Sequence, residues 1–120
     1  MLKQLNHILT GADIAWQARI GTHLVLFHPT GTVIGPGVVI GIGCQIQQGV
    51  TIGNSGRKIH ADDDWPVLGD NVYLGAGSRV IGSLTIGNNV AVGANAVVLH
   101  DIAENSSAVG VPAVQRRKSF

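Results

Sequence analysis

Two short segments of this chain carry side chains that could do chemistry. The first, residues 27–32 (FHPTGT), contains His28, and an imidazole is suited to removing a proton from a hydroxyl group near neutral pH. The second, residues 53–66 (GNSGRKIHADDDWP), contains two basic residues, a histidine, three aspartates and a tryptophan. Both segments interrupt a regular apolar pattern, and that pattern predicts the elements that position them.

A six-residue rhythm of aliphatic side chains runs through most of the sequence. Every sixth residue from Leu68 to Val98 is aliphatic, and the fourth residue after each is small or apolar. The same step is present from Ile34 onwards. A period of six fits neither a helix nor an isolated strand. It predicts an all-β fold, a parallel β-helix with three short strands per coil and about five coils between Ile14 and Ile102.

The rhythm breaks at the two segments described above. Leu26 to Ile34 is a step of eight residues, two more than one step, and Ile52 to Leu68 is sixteen, four more than two steps. An interrupted corner lifts side chains out of a packed wall, so we expect functional residues at both breaks. Residues 53–66 are predicted to protrude as a polar loop that could reach a neighbouring subunit.

Composition limits the function classes. The chain has 120 residues, of which 45% are apolar, enough for one domain with its own core. A net charge of +1 gives no indication of nucleic-acid binding, and no apolar run is long enough to span a membrane, so we expect a cytoplasmic protein. The single cysteine, Cys44, falls at an inward position of the repeat and is predicted to be a packed core thiol.

The pattern divides the chain into three predicted segments. Residues 1–10 have an apolar spacing that suits a short helical cap over the open end of the first coil. Residues 11–107 form the β-helix. Residues 108–120, which include Arg116, Arg117 and Lys118, are predicted to leave the β-helix as an irregular basic tail.

Several motifs make the chain similar to a known superfamily. They are GADI at residues 11–14, His28 with Thr30 and Gly31 behind it, LGAG at residues 74–77, and GVPA at residues 110–113. With the rhythm and the loop, these resemble the left-handed β-helix hexapeptide acyltransferases, especially the serine acetyltransferases and their polysaccharide-modifying relatives. The resemblance implies a left-handed β-helix, a homotrimer with active sites between subunits, and acetyl-CoA bound in the groove between adjacent prisms, without a metal.

The resemblance also implies catalytic residues. His28 matches the family's general base, and Asp13 matches the carboxylate that orients it. A carboxylate on the second ring nitrogen would fix the tautomer and stabilise the imidazolium as it forms. The two residues are fifteen positions apart rather than eighteen, so stacking of coils does not by itself bring them into contact. A histidine that only shapes the corner is the alternative.

The predicted donor site consists of small residues on one face. Gly75 and Gly93 are one coil apart, and with their neighbours Ala76, Gly77 and Ala94 they would leave a shallow channel for the pantetheine arm of the donor. The alternative is that corners simply require small residues. Arg117, with its basic neighbours, is predicted to meet the phosphates of CoA, the alternative being a solvated tail. Ile81 and Leu99, also one coil apart, suggest a buried subunit contact.

The acceptor site departs from the serine acetyltransferase pattern. Phe27 stands where the family has an aspartate, and Asp64-Trp65-Pro66 stand where it has an Arg-His-Pro triplet that holds serine. Phe27, Asp64 and Trp65 are therefore predicted to contact a different acceptor, a sugar or polysaccharide precursor, with serine as the alternative. Trp65 could stack on a sugar ring or simply pack on the prism.

Two other classes remain open. The γ-type carbonic anhydrases share this fold and hold zinc with three histidines, for which His23, His28 and His60 are the candidates here. In that family the lone histidine precedes the close pair, whereas here it follows, and a loop is a poor place for a rigid ligand. A non-catalytic scaffold that keeps only the prism is the third class.

Overall fold

The computed structural model describes residues 11–57 and 63–117. The predicted cap at residues 1–10 lies outside the described residues. Within those ranges the chain forms short strands and turns and no helix. The strands are β1 (Asp13–Ile14), β2 (Arg19–Ile20), β3 (Val25–Leu26), β4 (Val33–Ile34), β5 (Val39–Ile40), β6 (Gln45–Ile46), β7 (Thr51–Gly53), β8 (Val67–Leu68), β9 (Tyr73–Leu74), β10 (Arg79–Ile81), β11 (Thr85–Ile86), β12 (Ala91–Val92), β13 (Val97–Val98), β14 (Ser106–Val109) and β15 (Val114–Arg117).

Consecutive strands belong to three different faces of a prism. Sheet A contains β1, β4, β7, β10 and β13, and sheet B contains β2, β5, β8 and β11. Sheet C contains β3, β6, β9, β12, β14 and β15. Each strand from β1 to β10 pairs in parallel with the strand one coil further on, for example Ile34 opposite Ile52, and β12 pairs in the same way with β14. In the coil after β11, Ile86 makes an isolated parallel bridge to Ile102. The chain is therefore a left-handed parallel β-helix, which confirms the predicted fold.

The core is a ladder of inward aliphatic side chains, one from each of the strands β1 to β13. Ile34, Ile52, Val80 and Val98 line sheet A from the second coil to the fifth, and each is at most 1% exposed. Burial of one such side chain contributes about 1.5–3 kcal/mol. Five apolar residues of the first coil pack against this ladder and are only partly buried, namely Ile14, Ala18, Ile20, Leu24 and Leu26.

Cys44 lies in the core, as predicted. The thiol is fully buried, and its Sγ donates to the Gly69 carbonyl oxygen at 3.2 Å. Burial raises the pKa of the Cys44 thiol, and the nearby Asp70 carboxylate acts in the same direction.

Two of the three prism edges are built from stacked turns, and each turn contains one residue with a positive φ, in the left-handed region of backbone conformation. We call the edge where sheet C turns into sheet A edge C–A, and its left-handed residues are Gly11, Gly31, Gly49, Gly77 and Asn95. Edge B–C carries His23, Gly43, Asn71, Asn89 and Asn105 at the same position of its turns. The N–H of each such residue from the second coil on donates to a carbonyl of the coil before, so the turns stack in register.

The long loop is larger than the rhythm indicated. β7 and β8 lie on neighbouring faces, sheets A and B, so the sixteen residues from Ile52 to Leu68 exceed one six-residue step by ten. The prediction that the loop adds four residues to two steps was wrong. The apolar rhythm does not show whether the residues on either side of an insertion lie on neighbouring faces or are separated by a further face. The loop occupies the third edge, edge A–B, of which residues 58–62 lie outside the described part.

The C-terminal segment is not an irregular tail up to Arg117. β14 pairs in parallel with β12 and extends sheet C, and β15 folds back on β14 as an antiparallel strand. The predicted boundary between residues 107 and 108 therefore falls inside a strand. Ala108 is fully buried and continues the six-residue step from Ile102, but an alanine is a weak signal of an inward position.

Candidate active site

The break in residues 27–32 is a bulge of two residues, His28 and Pro29. Before it, the Phe27 N–H donates to the Ile46 carbonyl of the next coil at 3.0 Å. After it, the Thr30 carbonyl accepts from an N–H of that coil, also at 3.0 Å. Phe27 and Thr30 are both in register with the next coil, so the two extra residues are those between them. His28 is consequently exposed on edge C–A, and the ladder continues on either side of it.

Asp13 lies on the strand that passes beside the turn after the bulge. Its N–H donates to the Thr32 carbonyl at 2.8 Å, and the Gly31 N–H donates to the Gly11 carbonyl at 2.8 Å. These bonds hold the start of β1 against the residues that follow His28, and Oδ1 of Asp13 is buried there. The structure thus brings Asp13 to the same corner as His28, while the hydrogen bond between the two side chains stays a prediction.

The small residues of the predicted donor channel lie on the same edge as His28. Gly75, Ala76 and Gly77 form its turn two coils below the bulge, and Gly93 and Ala94 form its turn one coil further. With strands spaced by about 4.8 Å, these turns are roughly 10 and 14 Å from the bulge. The predicted base and the predicted channel therefore form one continuous strip.

Packing between turns already requires some of these small residues. A Cβ on Gly75 would lie 2.7 Å from the Ala94 nitrogen, and Gly77 has a φ of +70°. The N–H groups of Gly75, Gly77 and Gly93 also donate within the ladder, so they are not available to a ligand. Among the described residues, the N–H groups of Ala76 and Ala94 have no backbone acceptor, as expected of the second residue of a β-turn.

Arg79 also lies on this strip, although it is not among the predicted site residues. Its Nη1 donates to the Gly49 carbonyl at 2.6 Å and to the Gly77 carbonyl at 2.9 Å. The guanidinium therefore joins two successive turns of edge C–A, the turn of Gly49 below the bulge and the first turn of the predicted channel. Nothing in the sequence signals this contact, because it depends on the side chain reaching across one coil.

Arg117 lies away from the channel. In β15 it is opposite Ser106, which begins β14 beside edge B–C, whereas the small residues lie at the other end of the sheet C strands. The structure does not bring Arg117 to the strip, and its predicted role toward the phosphates of CoA stays a prediction.

Comparisons with known proteins match this architecture. Residues 66–100 match the family model described as bacterial transferase hexapeptide (six repeats). A serine acetyltransferase of Synechococcus elongatus is 40% identical over 112 residues, which are 93% of this chain and 45% of that protein. The chain belongs to the hexapeptide-repeat acyltransferase superfamily.

Solved structures of serine acetyltransferases share this architecture. The serine acetyltransferase of Brucella abortus strain S19 superposes with a TM-score of 0.92 at 31% identity over 98% of this chain and 47% of its own. Soybean serine acetyltransferase gives a TM-score of 0.90 at 38% identity over 95% of this chain and 46% of its own. This hexapeptide-repeat chain spans about half the length of the curated relatives it matches.

Asp64 is predicted to contact the acceptor. In the structure it instead lies at the base of the long loop on edge A–B, where the two ends of the loop meet. It is 2% exposed, and its Oδ2 accepts from the Ser55 N–H at 2.9 Å and from the Ser55 hydroxyl at 2.6 Å. These bonds close the two ends of the loop onto each other. A carboxylate buried in this way does not support a direct contact with an acceptor.

Trp65 packs on the prism. A Cβ placed on Gly35 or Gly37 would lie 2.3 Å or 2.1 Å from the indole ring, so the ring covers the backbone of both glycines. One face of the ring is thus occupied, and the residue is only partly buried. Phe27 is 46% exposed beside His28, and its contact with an acceptor stays a prediction.

The remaining predictions concern metal and subunit contacts. His23 occupies a left-handed turn position on edge B–C, His28 is on edge C–A, and His60 lies outside the described residues. In the described part of the chain, no three His, Cys, Asp or Glu side chains are grouped to hold a metal ion. Leu99 is 48% exposed, as a subunit contact requires. No helix in the described residues is long and apolar enough to cross a membrane.

Proposed function

We propose that the chain is the acyl-transfer unit of an acetyl-CoA-dependent serine O-acetyltransferase. The observation that carries this proposal is the two-residue bulge, which exposes His28 on the edge that also presents the small-residue turns. The relatives that share this prism at about 40% identity are named serine acetyltransferases. They support serine rather than the sugar acceptor favoured by the sequence.

The donor would lie along edge C–A. The serine acetyltransferase of Brucella abortus in complex with coenzyme A superposes on 99% of this chain with a TM-score of 0.91. In this proposal the N–H groups of Ala76 and Ala94 donate to the pantetheine amides, because they are the amides of these turns outside the ladder. Gly75, Gly77 and Gly93 keep the strip free of side chains that would block the arm.

The chemistry would be a direct transfer. His28 takes the proton of the acceptor hydroxyl as the oxygen attacks the thioester carbonyl, and it then returns a proton to the leaving thiolate. Asp13 orients the imidazole and stabilises its cationic form. An acetyl-enzyme at Cys44 is disfavoured, because the thiol is buried, hydrogen-bonded to Gly69 and kept protonated by its raised pKa.

The active form would be a homotrimer. A strip on one edge of a narrow prism binds an extended donor on one side only, so a neighbouring prism is needed to close the groove. The exposed Leu99 and the partly buried Ile81 would lie in the subunit contact. Light scattering should give about three times the chain mass of 12.5 kDa. A monomer at micromolar concentration would contradict an intersubunit site.

A sugar hydroxyl is the second candidate acceptor. It is favoured by Phe27, an exposed apolar side chain beside His28 where an amino-acid acceptor would be better served by a carboxylate. The deciding experiment measures thiol release from acetyl-CoA with L-serine and with a panel of neutral sugars, with mass spectrometry of the product. Release with serine supports the proposal, and release with a sugar alone would replace it by the second candidate. Silence with every acceptor indicates a non-catalytic scaffold.

A further inference from the structure

Sheet B carries a continuous groove on the outside of the prism, away from edge C–A. Two cavities, of about 460 and 630 Å³, share Val67, Thr85 and Asp101 in their walls. The first extends upward to Trp65, and the second extends downward to Gln115 in β15. Together they span from the second coil to the C-terminal hairpin, roughly 15 Å at the usual strand spacing.

The floor of the groove is open because glycines replace side chains there. Gly69 and Gly87 lie one coil apart in the wall of the larger cavity. A Cβ on Gly69 would lie 2.3 Å from Oδ1 of Asn88, and one on Gly87 would lie 2.6 Å from the Glu104 nitrogen. Tight stacking of the turns excludes side chains at both positions, and it leaves a trough between the loop base and the hairpin.

The polar side chains along the trough are held by backbone bonds. Asp101 Oδ1 accepts from the Thr85 N–H at 2.8 Å, and Asn88 Oδ1 accepts from the Asp70 N–H at 2.7 Å. Gln115 Oε1 accepts from the Ala103 N–H at 2.8 Å. One end of each planar group is thus fixed, and the other end of each remains to donate or accept. Such a row is prepared for a ligand with many hydroxyl groups.

An aromatic ring stands at the upper end of the same row. One face of Trp65 rests on Gly35 and Gly37, and the ring forms part of the wall of the smaller cavity beside Asp63 and Ser83. A tryptophan fixed in this way offers a large apolar surface without further loss of side-chain freedom. An aromatic surface followed by planar amides, carboxylates and hydroxyls matches the apolar ring faces and polar rims of linked sugars.

We propose that this groove on sheet B binds a short neutral oligosaccharide. Trp65 stacks on one sugar ring, while Asp63, Asp101, Asn88 and Gln115 take up hydroxyl groups along the chain. Neutral sugars are favoured because Asp63, Asp101 and Glu104 give the groove a negative charge that would repel uronic acids and phosphorylated sugars. Within one chain the groove lies on sheet B, away from the strip on edge C–A that carries His28.

The test is a titration of the full chain with maltotriose, cellotriose and chitotriose, followed by amide and indole chemical shifts. At least one trisaccharide should give saturable shifts at the Trp65 indole, Asp63, Thr85 and Asp101, at low and at high salt. Trp65→Ala should weaken that binding by about tenfold. Trp16→Ala is the matched control, because Trp16 is 82% exposed on the first coil and should leave binding unchanged.

Further variants keep the result decisive. If the amide spectrum of Trp65→Ala shows that this variant is unfolded, Asp63→Ala and Gln115→Ala replace it in the titration. Both residues are exposed, so these variants should fold, and both should bind the sugar more weakly. Absence of saturable shifts with all three sugars overturns the proposal. Shifts confined to Phe27 and His28 also overturn it and assign the sugar to the acceptor site instead.

Discussion

The two interruptions of the prism are held in place by different means. The bulge at His28 and Pro29 adds two residues, and backbone hydrogen bonds on both sides of it keep Phe27 and Thr30 in register with the next coil. The loop on edge A–B adds ten residues, and it is closed at its base by the bonds from Ser55 to Asp64 and covered by Trp65. A short insertion inherits its geometry from the repeat, whereas a long one must carry its own packing.

The largest expected effect concerns the bulge. His28→Ala should lower turnover of acetyl-CoA with the acceptor by about 10²–10⁴-fold, the usual contribution of a positioned base. Stability should hardly change, because the exposed ring is not part of the ladder. His100→Ala, which removes another exposed histidine, is the control and should keep parental turnover. Near-parental turnover in His28→Ala would sink the mechanism.

The next prediction compares how well a glycine of the repeat and a glycine at the start of the loop tolerate an added side chain. Gly75→Ala should destabilise the chain by about 3 kcal/mol, the upper end of the usual cost of overpacking, because its Cβ would meet backbone atoms at 2.7–2.9 Å. Gly53→Ala, at the start of the loop, meets nothing within 4 Å and should change stability by less than about 0.5 kcal/mol. Urea unfolding checks both, and equal losses would show that the loop is packed as tightly as the repeat.

The anchor of the long loop should have a smaller, local effect. Asp64→Ala removes the acceptor of two Ser55 donors, at a cost of about 1–3 kcal/mol. We expect faster tryptic cleavage after Arg57, and little change for the exposed neighbour in Asp63→Ala. Unchanged cleavage in Asp64→Ala would mean that Trp65 alone anchors the loop.

The smallest effect is a pH dependence in the core. Because burial raises the pKa of the Cys44 thiol, the folded chain keeps its proton where the unfolded chain has lost it. The free energy of unfolding is therefore unaffected below the ordinary thiol pKa of about 8.5 and falls as the pH rises above it. Cys44→Ala should abolish this decline relative to the parent in denaturant titrations. Parallel curves for the two proteins would contradict the assignment.

The regular part of the fold could be predicted from the sequence because each coil repeats the same physical constraint. Inward aliphatic residues such as Ile34 and Val98 recur at steps of six, so pattern alone locates them. The hairpin after Ile102 could not be found in this way, since β15 returns antiparallel and its exposed residues carry no inward rhythm.

The candidate site was predictable only in part. The break in the rhythm identified the segment around His28, but the hydrogen bonds were needed to show that Pro29 is the second extra residue. Asp64 instead bonds across the loop to Ser55, and Trp65 packs on Gly35 in the coil before it. A motif fixes neighbours in sequence, and it reveals neither of these contacts.

The stacked turns of edge C–A also make the prism a molecular ruler. Each coil adds one strand spacing, about 4.8 Å, so the separation between His28 and any lower turn can change only in whole steps of that size. Duplication or deletion of one eighteen-residue coil below the bulge would lengthen or shorten the strip by one division while preserving every contact within a coil. Adaptation of this chain to donors of different length can therefore proceed by adding or removing whole coils, without any change in the corner that holds the histidine.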